Sequence, residues 1–270
     1  MDRGTIGFGI AGNFAQHLEQ AGESEDFVGV EVDEADAPKG IFPTYIPKSN
    51  TFLGVFPFSS DKIMAPQDKD IQMEPEVGLL CDVGYHDGQV SRLTPTHFMA
   101  YNDCSIRVEG AKKISHKKNW GTNSKGVSEA LIMIDTFARG GVMDGYSLTS
   151  FIKRDGQLIQ YGENSELLGY SYFYEKLEKW IIEKLNHQKE QGPLEDLHAS
   201  LLEADKPQKL LISIGATRYT AFGESHYLQA GDILYVLLYP HGKYGHEKVR
   251  LMIEQEAYED GISLLRQEVV

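Results

Sequence analysis

The segment MEPEVGLLCDV, residues 73–83, is the most informative part of this chain for its fold and its chemistry. Its apolar run, which includes Val77 and Leu79, is typical of a buried β-strand. Glu74 and Glu76 stand at the start of this run, and on an extended backbone residues i and i+2 point to the same face. The segment therefore predicts two carboxylates side by side where a strand begins.

The residues alone leave two interpretations of this pair open. Pro75 cannot donate to a sheet ladder, which suits a solvated acidic patch on a strand edge. The alternative is an oxygen-ligand site completed by Asp103, in AYNDCSIR at 100–107. Asp103 follows an apolar stretch, so it needs a partner: a metal, Arg107 or a backbone amide. Three such carboxylates would suit a hard divalent cation, Mg²⁺ or Mn²⁺.

Short β-type runs dominate the rest of the chain and predict a β-rich α+β fold. The runs are FVGVEV (27–32), EVGLLCDV (76–83), ALIMI (130–134), SFIKR (150–154), QLIQY (157–161), LLISI (210–214) and DILYVLLY (232–239). Between SFIKR and QLIQY lies Asp155-Gly156, which is typical of a type I′ hairpin turn.

Helical periodicity is confined to residues 13–22, residues 170–191 and the tail of the chain. In the middle segment the apolar residues fall on one face, which predicts a surface helix packed on the core. They are Phe173, Leu177, Trp180, Ile181 and Leu185. We expect one domain over residues 1–270, with residues 1–55 as a small N-terminal lobe or lid and 170–207 as a helical insert.

Composition excludes several classes of partner. Of 270 residues, 41% are hydrophobic and 24% are charged, as in globular proteins. The formal net charge of -14 has no basic cluster to offset it, which argues against nucleic acid and anionic membranes. No export signal or stretch of about 18 apolar residues is visible, so we expect a cytoplasmic protein. Two cysteines, Cys81 and Cys104, do not suggest a disulfide framework or a zinc site.

A glycine motif near the start resembles a dinucleotide-binding fingerprint. Gly7, Gly9 and Gly12 fit G-x-G-x-x-G, and Glu31 and Asp33 follow about 20 residues later, where such a fold binds the ribose. Too few residues precede the first glycine for the buried strand that the motif requires. A nucleotide-dependent oxidoreductase is therefore our third functional hypothesis.

The order of the motifs resembles that of the fumarylacetoacetate hydrolase superfamily. Each match is weak alone, but together they span residues 12–232 in the family's order. The matching segments are Gly12-Asn13-Phe14-Ala15-Gln16-His17, Glu74-Pro75-Glu76, Asn102-Asp103-Cys104-Ser105-Ile106-Arg107, Lys118-Asn119-Trp120-Gly121-Thr122, Asp155-Gly156 with Gln160, Ile214-Gly215-Ala216-Thr217 and Leu228-Gln229-Ala230-Gly231-Asp232.

This resemblance implies a twisted β-sheet roll with peripheral helices, assembled as a homodimer. It implies Mg²⁺ or Mn²⁺ held by Glu74, Glu76 and Asp103. It also implies that Lys118 and Arg107 hold the carboxylate or enolate of a small-molecule substrate. The metal would chelate two oxygens of a 2-oxo or 1,3-dicarbonyl acid and stabilise the enolate that forms.

The resemblance also suggests His17 as general base, because an imidazole titrates near neutral pH. Hydrolytic members carry Glu three residues after this His, and here that position is Gln20. The adjacent Glu19 is the candidate catalytic carboxylate, although on a helix it would point about 100° away.

Other positions match the family's substrate-binding motifs only in part, which indicates a divergent branch of the family. Asn13, Gln160, Thr217 and Lys48 are the further candidates for substrate binding. Thr217 stands one residue late in its loop, and Lys48 lies in a rearranged Ile-Pro-Lys segment.

The leading hypothesis is a metal-dependent enzyme that hydrolyses or decarboxylates a small 2-oxo or 1,3-dicarbonyl acid or interconverts its keto and enol forms. Hydrolysis needs water activated at His17, whereas the other two reactions depend mainly on the metal and Lys118. The second hypothesis is a member of the fold that has lost catalysis and serves as a binding protein.

Overall fold

The computed structural model is built around two large β-sheets and describes residues 1–15, 17–22, 27, 29–30, 32, 34–108 and 110–270. In chain order the strands are β1 (Ile6–Ala11), β2 (Gly40–Tyr45), β3 (Phe58–Ser59), β4 (Lys62–Ile63), β5 (Ile71–Gln72), β6 (Pro75–His86), β7 (Gln89–Asn102), β8 (Ser105–Ile106), β9 (Lys125–Val127), β10 (Ile132–Met133), β11 (Tyr146–Arg154), β12 (Gln157–Glu166), β13 (Lys209–Ser213), β14 (Ile233–Pro240) and β15 (Ser263–Val269). The α-helices are α1 (His17–Gln20), α2 (Ser115–Lys118), α3 (Tyr174–His187), α4 (Leu197–Glu203), α5 (Ala221–Ser225) and α6 (His246–Gln255).

The larger sheet has the order β2-β1-β13-β6-β7-β9-β3, with β10 also paired to β7. The second sheet has the order β12-β11-β14-β15-β4, and β5 pairs with β8 separately. Most pairs are antiparallel, but β1–β13, β3–β9 and β4–β15 are parallel. Apolar side chains from both sheets, among them Leu79, Phe98, Leu148 and Val236, meet in one hydrophobic core.

The long hairpin of β6 and β7 carries the segment with the paired glutamates. Its register places Pro75 opposite Asn102 and Glu76 opposite Tyr101. The first residues of β6 therefore lie beside the last residues of β7, because antiparallel partners run in opposite directions. This brings Asp103, which follows β7, next to Glu74 and Glu76.

The predicted hairpin turn at residues 155–156 is confirmed. Asp155 and Gly156 both have positive φ, 51° and 78°, as a type I′ turn requires. They join β11 to β12, which pair from Arg154 and Gln157 outward. Farther along, Asp232 binds Arg154 through both carboxylate oxygens at 2.8 and 2.6 Å, and so holds the start of β14 against this hairpin.

Several sequence predictions need correction. Gly7 and Gly9 lie inside β1 rather than in a loop that leads into a helix, so the dinucleotide fingerprint lacks its structural context. Of the run 27–32, residues 27, 29, 30 and 32 are described and none belongs to a strand; Glu31 and Asp33 lie outside the described residues. The tail contains helix α6, where helical periodicity predicts a helix, and strand β15 follows it.

Helix α3 forms where the apolar periodicity of residues 170–191 predicts it. Leu177, Trp180, Ile181 and Leu185 are buried on one face, and Tyr174 joins them at the first turn. Helix α4 follows it in the segment 170–207 and contributes Leu197 and Leu201 to the same core. Among the described residues, no helix is long and apolar enough to cross a membrane.

Candidate active site

Three carboxylates form a buried cluster at the start of β6 and the end of β7. The side chains of Glu74, Glu76 and Asp103 are 3%, 2% and 0% exposed. One oxygen from each lies within 4.8 Å of the others. The backbone fixes this arrangement, since the Asp103 amide donates to the Glu74 carbonyl at 2.9 Å. A cluster of buried carboxylate oxygens at this spacing fits a hard divalent cation, which prefers oxygen ligands.

Lys118, the last residue of α2, contacts two of these carboxylates. Its Nζ lies 2.6 Å from Glu74 Oε2 and 2.7 Å from Asp103 Oδ2. The ammonium also lies 5.3 Å from the centre of the Phe42 ring. With the lysine side chain only 3% exposed, this cation acts on the site with little screening by water.

Lys125 is a second buried cation that the sequence analysis missed. It is fully buried in β9, with Nζ 3.3 Å from Asp103 Oδ1 and in contact with the Cys104 carbonyl oxygen. Burial lowers the pKa of Lys125, and the charge of Asp103 opposes that shift. In the sequence, Lys125 is only the first residue of the short strand-like run KGV. Nothing in that pattern distinguishes Lys125 from another lysine, such as Lys117.

Arg107 pairs with Glu74 and not with Asp103, the partner considered for it in the sequence analysis. Its Nη2 donates to Glu74 Oε1 at 2.8 Å and to the Tyr219 hydroxyl at 3.0 Å. Its Nε donates to Gln72 Oε1 at 2.6 Å. Arg107 therefore holds a carboxylate of the cluster in place, with its side chain only 9% exposed.

The surroundings separate the pKa values of the three carboxyl groups. Burial would raise the pKa of Glu74, but Lys118 and Arg107 outweigh burial and hold it well below its usual range. Burial, reinforced by the charge of Asp103, raises the pKa of Glu76 well above its usual value. Burial also raises the pKa of Asp103, although Lys118 and Lys125 oppose the shift. Glu76 is thus the carboxylate with the least compensation from nearby cations.

Two backbone contacts orient the glutamates. The Gly215 amide donates to Glu76 Oε2 at 2.9 Å. Asn102 accepts from the Glu74 amide through Oδ1 at 3.2 Å and donates through Nδ2 to Gln267 at 3.0 Å. Asn102 therefore ties the site to β15 in the second sheet, a role that the sequence analysis did not assign.

His17 lies beside the carboxylates. It lines, with the three carboxylates and Lys118, a cavity of about 10 Å³, which is room for about one water molecule. Its side chain is buried, and its ring centre is 5.1 Å from that of Tyr219. Glu19 lies on the exposed side of α1 and does not line this cavity.

Gln20 binds both main-chain polar groups of Tyr219. Its Oε1 accepts from the Tyr219 amide at 2.9 Å, and its Nε2 donates to the Tyr219 carbonyl at 3.3 Å. The position that carries Glu in the hydrolytic members of the family is thus engaged with the main chain.

The remaining candidates for substrate binding do not line the cavity. The Asn13 amide is engaged with the backbone of Tyr172 and Ile214. Thr217 is buried two residues after Gly215, and its hydroxyl has no hydrogen-bond partner among the described residues. Gln160 donates to the Gly162 carbonyl on β12. Lys48 is exposed and pairs with Asp205 at 3.2 Å.

Comparison with known sequences identifies one family. The profile of a family of unknown function (DUF5718) matches residues 23–269. No curated protein matches this sequence significantly.

Comparison with solved structures finds the same fold in several proteins. The 2-keto-3-deoxy-D-arabinonate dehydratase complexed with magnesium and 2,5-dioxopentanoate is 14% identical, with TM-score 0.55 and coverage of 98% of this chain and 72% of that one. A 5-carboxymethyl-2-hydroxymuconate delta-isomerase from Mycobacterium smegmatis is 13% identical, with TM-score 0.57 and coverage of 98% and 78%. A fumarylacetoacetate hydrolase family protein from Yersinia pestis is 13% identical, with TM-score 0.51 and coverage of 98% and 93%.

These neighbours confirm the predicted β-rich fold, which this chain shares with a fumarylacetoacetate hydrolase family protein. At such low identity the likeness concerns the fold. The chemistry of this chain has to be argued from its own residues.

Proposed function

Because this chain belongs to the family of unknown function DUF5718 and has the fumarylacetoacetate hydrolase fold, we propose that it is a divalent-metal-dependent enzyme acting on a small 2-oxo or 1,3-dicarbonyl acid. The observation that carries the proposal is the buried cluster of Glu74, Glu76 and Asp103 in direct contact with Lys118. Charged side chains are seldom buried without a partner or a function.

In this proposal Glu74, Glu76 and Asp103 hold Mg²⁺ or Mn²⁺. When bound, the cation supplies Lewis-acid stabilisation of the negative charge that develops on the substrate. The three carboxylates already face three cations, Arg107 among them, so their own negative charge is largely compensated. A loaded site therefore favours an anionic ligand, such as a carboxylic acid substrate.

Lys118 has the position to stabilise the developing enolate. Its ammonium lines the cavity with the carboxylates, where a fixed cation in a water-poor site acts strongly on nearby charge. Arg107 supports the site by holding Glu74 rather than by facing the cavity. His17 lines the same cavity, and a neutral imidazole there can accept a proton from substrate or water.

Among the reactions of this class we favour decarboxylation or keto-enol isomerisation over hydrolysis. The position that supplies a carboxylate to the histidine in hydrolytic members is Gln20, whose amide binds the Tyr219 backbone. Hydrolysis depends most on activation of water at His17, whereas the other two reactions depend mainly on the metal and Lys118.

The test is a screen of oxaloacetate and acylpyruvates with and without Mn²⁺, combined with calorimetric titration of Mn²⁺. We expect turnover that requires metal, and a fall in Mn²⁺ affinity of at least about 10-fold in Glu76→Gln, since a charged ligand is lost. Glu203→Gln, an exposed glutamate on α4, is the matched control and should bind Mn²⁺ normally. No metal-dependent turnover of any substrate, with equal Mn²⁺ binding by both variants, would overturn the proposal.

A fold member that has lost catalysis and binds a ligand is the second candidate. The observation in its favour is the cavity of about 10 Å³, which has no room for a keto acid unless the site opens. Tight Mn²⁺ binding without turnover of any keto acid would favour this candidate.

We also propose a homodimer, as the resemblance to the superfamily implies.

A further inference from the structure

We propose that Gln20 is a positioning residue whose amide clamps the main-chain N–H and carbonyl of Tyr219 and so holds His17 beside the carboxylate cluster. The inference rests on the proposed function in one respect, the assignment of His17 as the base. The clamp itself is a matter of geometry and can be tested without turnover.

The clamp requires a side-chain amide. Gln20 accepts from the Tyr219 N–H at 2.9 Å and donates to the Tyr219 carbonyl at 3.3 Å, so one side chain satisfies both polar groups of one residue. A glutamate at neutral pH has acceptors only and could not donate to the carbonyl. Glutamine at this position thus has a function of its own and is not merely a lost carboxylate.

Helix α1 depends on such anchors. It contains four residues, and a helix this short is not stable in isolation. Leu18 anchors it by packing with Ala11 and Phe42 in a small apolar cluster. Gln20 anchors it by hydrogen bonds to Tyr219, some 200 residues away in sequence. Both contacts constrain the position of His17 on this helix.

Tyr219 connects the clamp to the site. Its backbone holds Gln20, its ring lies 5.1 Å from the His17 ring, and its hydroxyl accepts from Arg107 at 3.0 Å. Arg107 in turn binds Glu74 at 2.8 Å. A continuous set of contacts therefore runs from Gln20 to a carboxylate of the cluster, and a displaced clamp would move His17 relative to Glu74.

The experiment compares Gln20→Met, Gln20→Glu and Gln208→Met. Met matches the length of Gln but has neither donor nor acceptor N or O, and Gln208 has an exposed side chain outside the clamp. The readouts are the hydrogen-exchange protection of the Tyr219 amide and the rate at which diethyl pyrocarbonate modifies His17. In Gln20→Met we expect Tyr219 protection to fall roughly 5- to 10-fold, as expected for one lost hydrogen bond, and His17 modification to accelerate. Gln208→Met should match the wild type in both.

Gln20→Glu supplies a pH signature that a merely structural role would not give. Near neutral pH the carboxylate repels the Tyr219 carbonyl, so His17 should be modified faster than in the wild type after correction for histidine ionisation. At low pH the protonated acid can donate again, and the difference from the wild type should shrink.

Equal His17 modification and Tyr219 exchange in all proteins would overturn the clamp. It would also be overturned if Gln20→Glu slowed His17 modification at neutral pH, because the carboxylate would then be pairing with the histidine. Should Gln20→Met not fold, the pH comparison within Gln20→Glu still decides. Absence of metal-dependent turnover would contradict the proposed function and leave these readouts unchanged.

Discussion

At the scale of single residues, the site is a compact set of opposite charges taken out of water. Glu74, Glu76 and Asp103 face Arg107, Lys118 and Lys125, and all six side chains are at most 9% exposed. Burying charge is costly unless it is paired, so removal of any one member leaves another uncompensated. Substitutions here should affect binding and catalysis strongly.

Replacing Lys118 with Met should separate catalysis from metal binding. Loss of the ammonium should lower kcat/KM about 100-fold or more, as for other groups that stabilise a developing anion. Mn²⁺ affinity should be retained or increased, because a cation beside the ligands is removed. Steady-state kinetics and calorimetry test this, with Lys209→Met, an exposed lysine paired to Asp82, as control. Loss of Mn²⁺ binding in Lys118→Met in a folded protein would contradict it.

Glu195 predicts a pH dependence of stability away from the site. Burial, only partly opposed by Ser115 and Lys113, raises the pKa of Glu195 from 4.5 to about 7. Between these values the folded state binds more protons than the unfolded state, so this group lowers the free energy of unfolding as pH rises from 4.5 to 7. Glu195→Gln removes this titrating group. The free energy of unfolding of the variant minus that of the wild type should therefore be larger at pH 8 than at pH 5, by up to about 3 kcal/mol.

Denaturant unfolding at the two pH values measures this difference. The same stability difference between variant and wild type at pH 5 and pH 8 would show that the Glu195 carboxyl titrates normally in the folded protein.

At the scale of elements, the hairpin of β6 and β7 builds the cluster, and Asn102 joins it to β15. Asn102→Ala would leave the Glu74 amide and Gln267 without their buried partner. We expect a loss of about 1–3 kcal/mol in the free energy of unfolding, together with weaker Mn²⁺ binding. Denaturation and calorimetry can measure both, and Thr94→Ala, exposed on the same strand, is the control. Equal losses in the two variants would argue against the assigned role of Asn102.

The sequence permitted prediction of elements whose signals are local. The Asp155-Gly156 turn and the apolar face of α3 are examples, since a turn dipeptide and a helical period are visible within a few residues. Motif order also singled out Glu74, Glu76 and Asp103, which the hairpin brings together.

Contacts between distant segments were not predictable in this way. Lys125 meets Asp103 through the pairing of β7 and β9, and Gln20 meets Tyr219 across most of the chain. Strand β1 was missed because its glycines are unusual in strands. A Cβ on Gly9 would lie 2.5 Å from the Phe42 ring, so packing requires glycine there.

At the scale of the whole molecule, the chain should associate. Met133 on strand β10 exposes 71% of its surface, and Leu131, just before this strand, exposes 45%. Exposed apolar side chains that lie together often mark an interface. Light scattering coupled to size-exclusion chromatography should give twice the chain mass of 30.3 kDa. A monomer mass at micromolar concentration would contradict the proposed homodimer and leave the metal site untouched.

We propose that Glu74, Glu76 and Asp103 bind a divalent cation. Anomalous diffraction from crystals grown with Mn²⁺ tests it most directly. We expect one anomalous peak among the three carboxylates, at coordination distances of roughly 2–2.5 Å from an oxygen of each, and a weaker peak in Glu76→Gln crystals grown at the same Mn²⁺ concentration. Saturating Mn²⁺ without a peak at this position in the wild-type protein would contradict it.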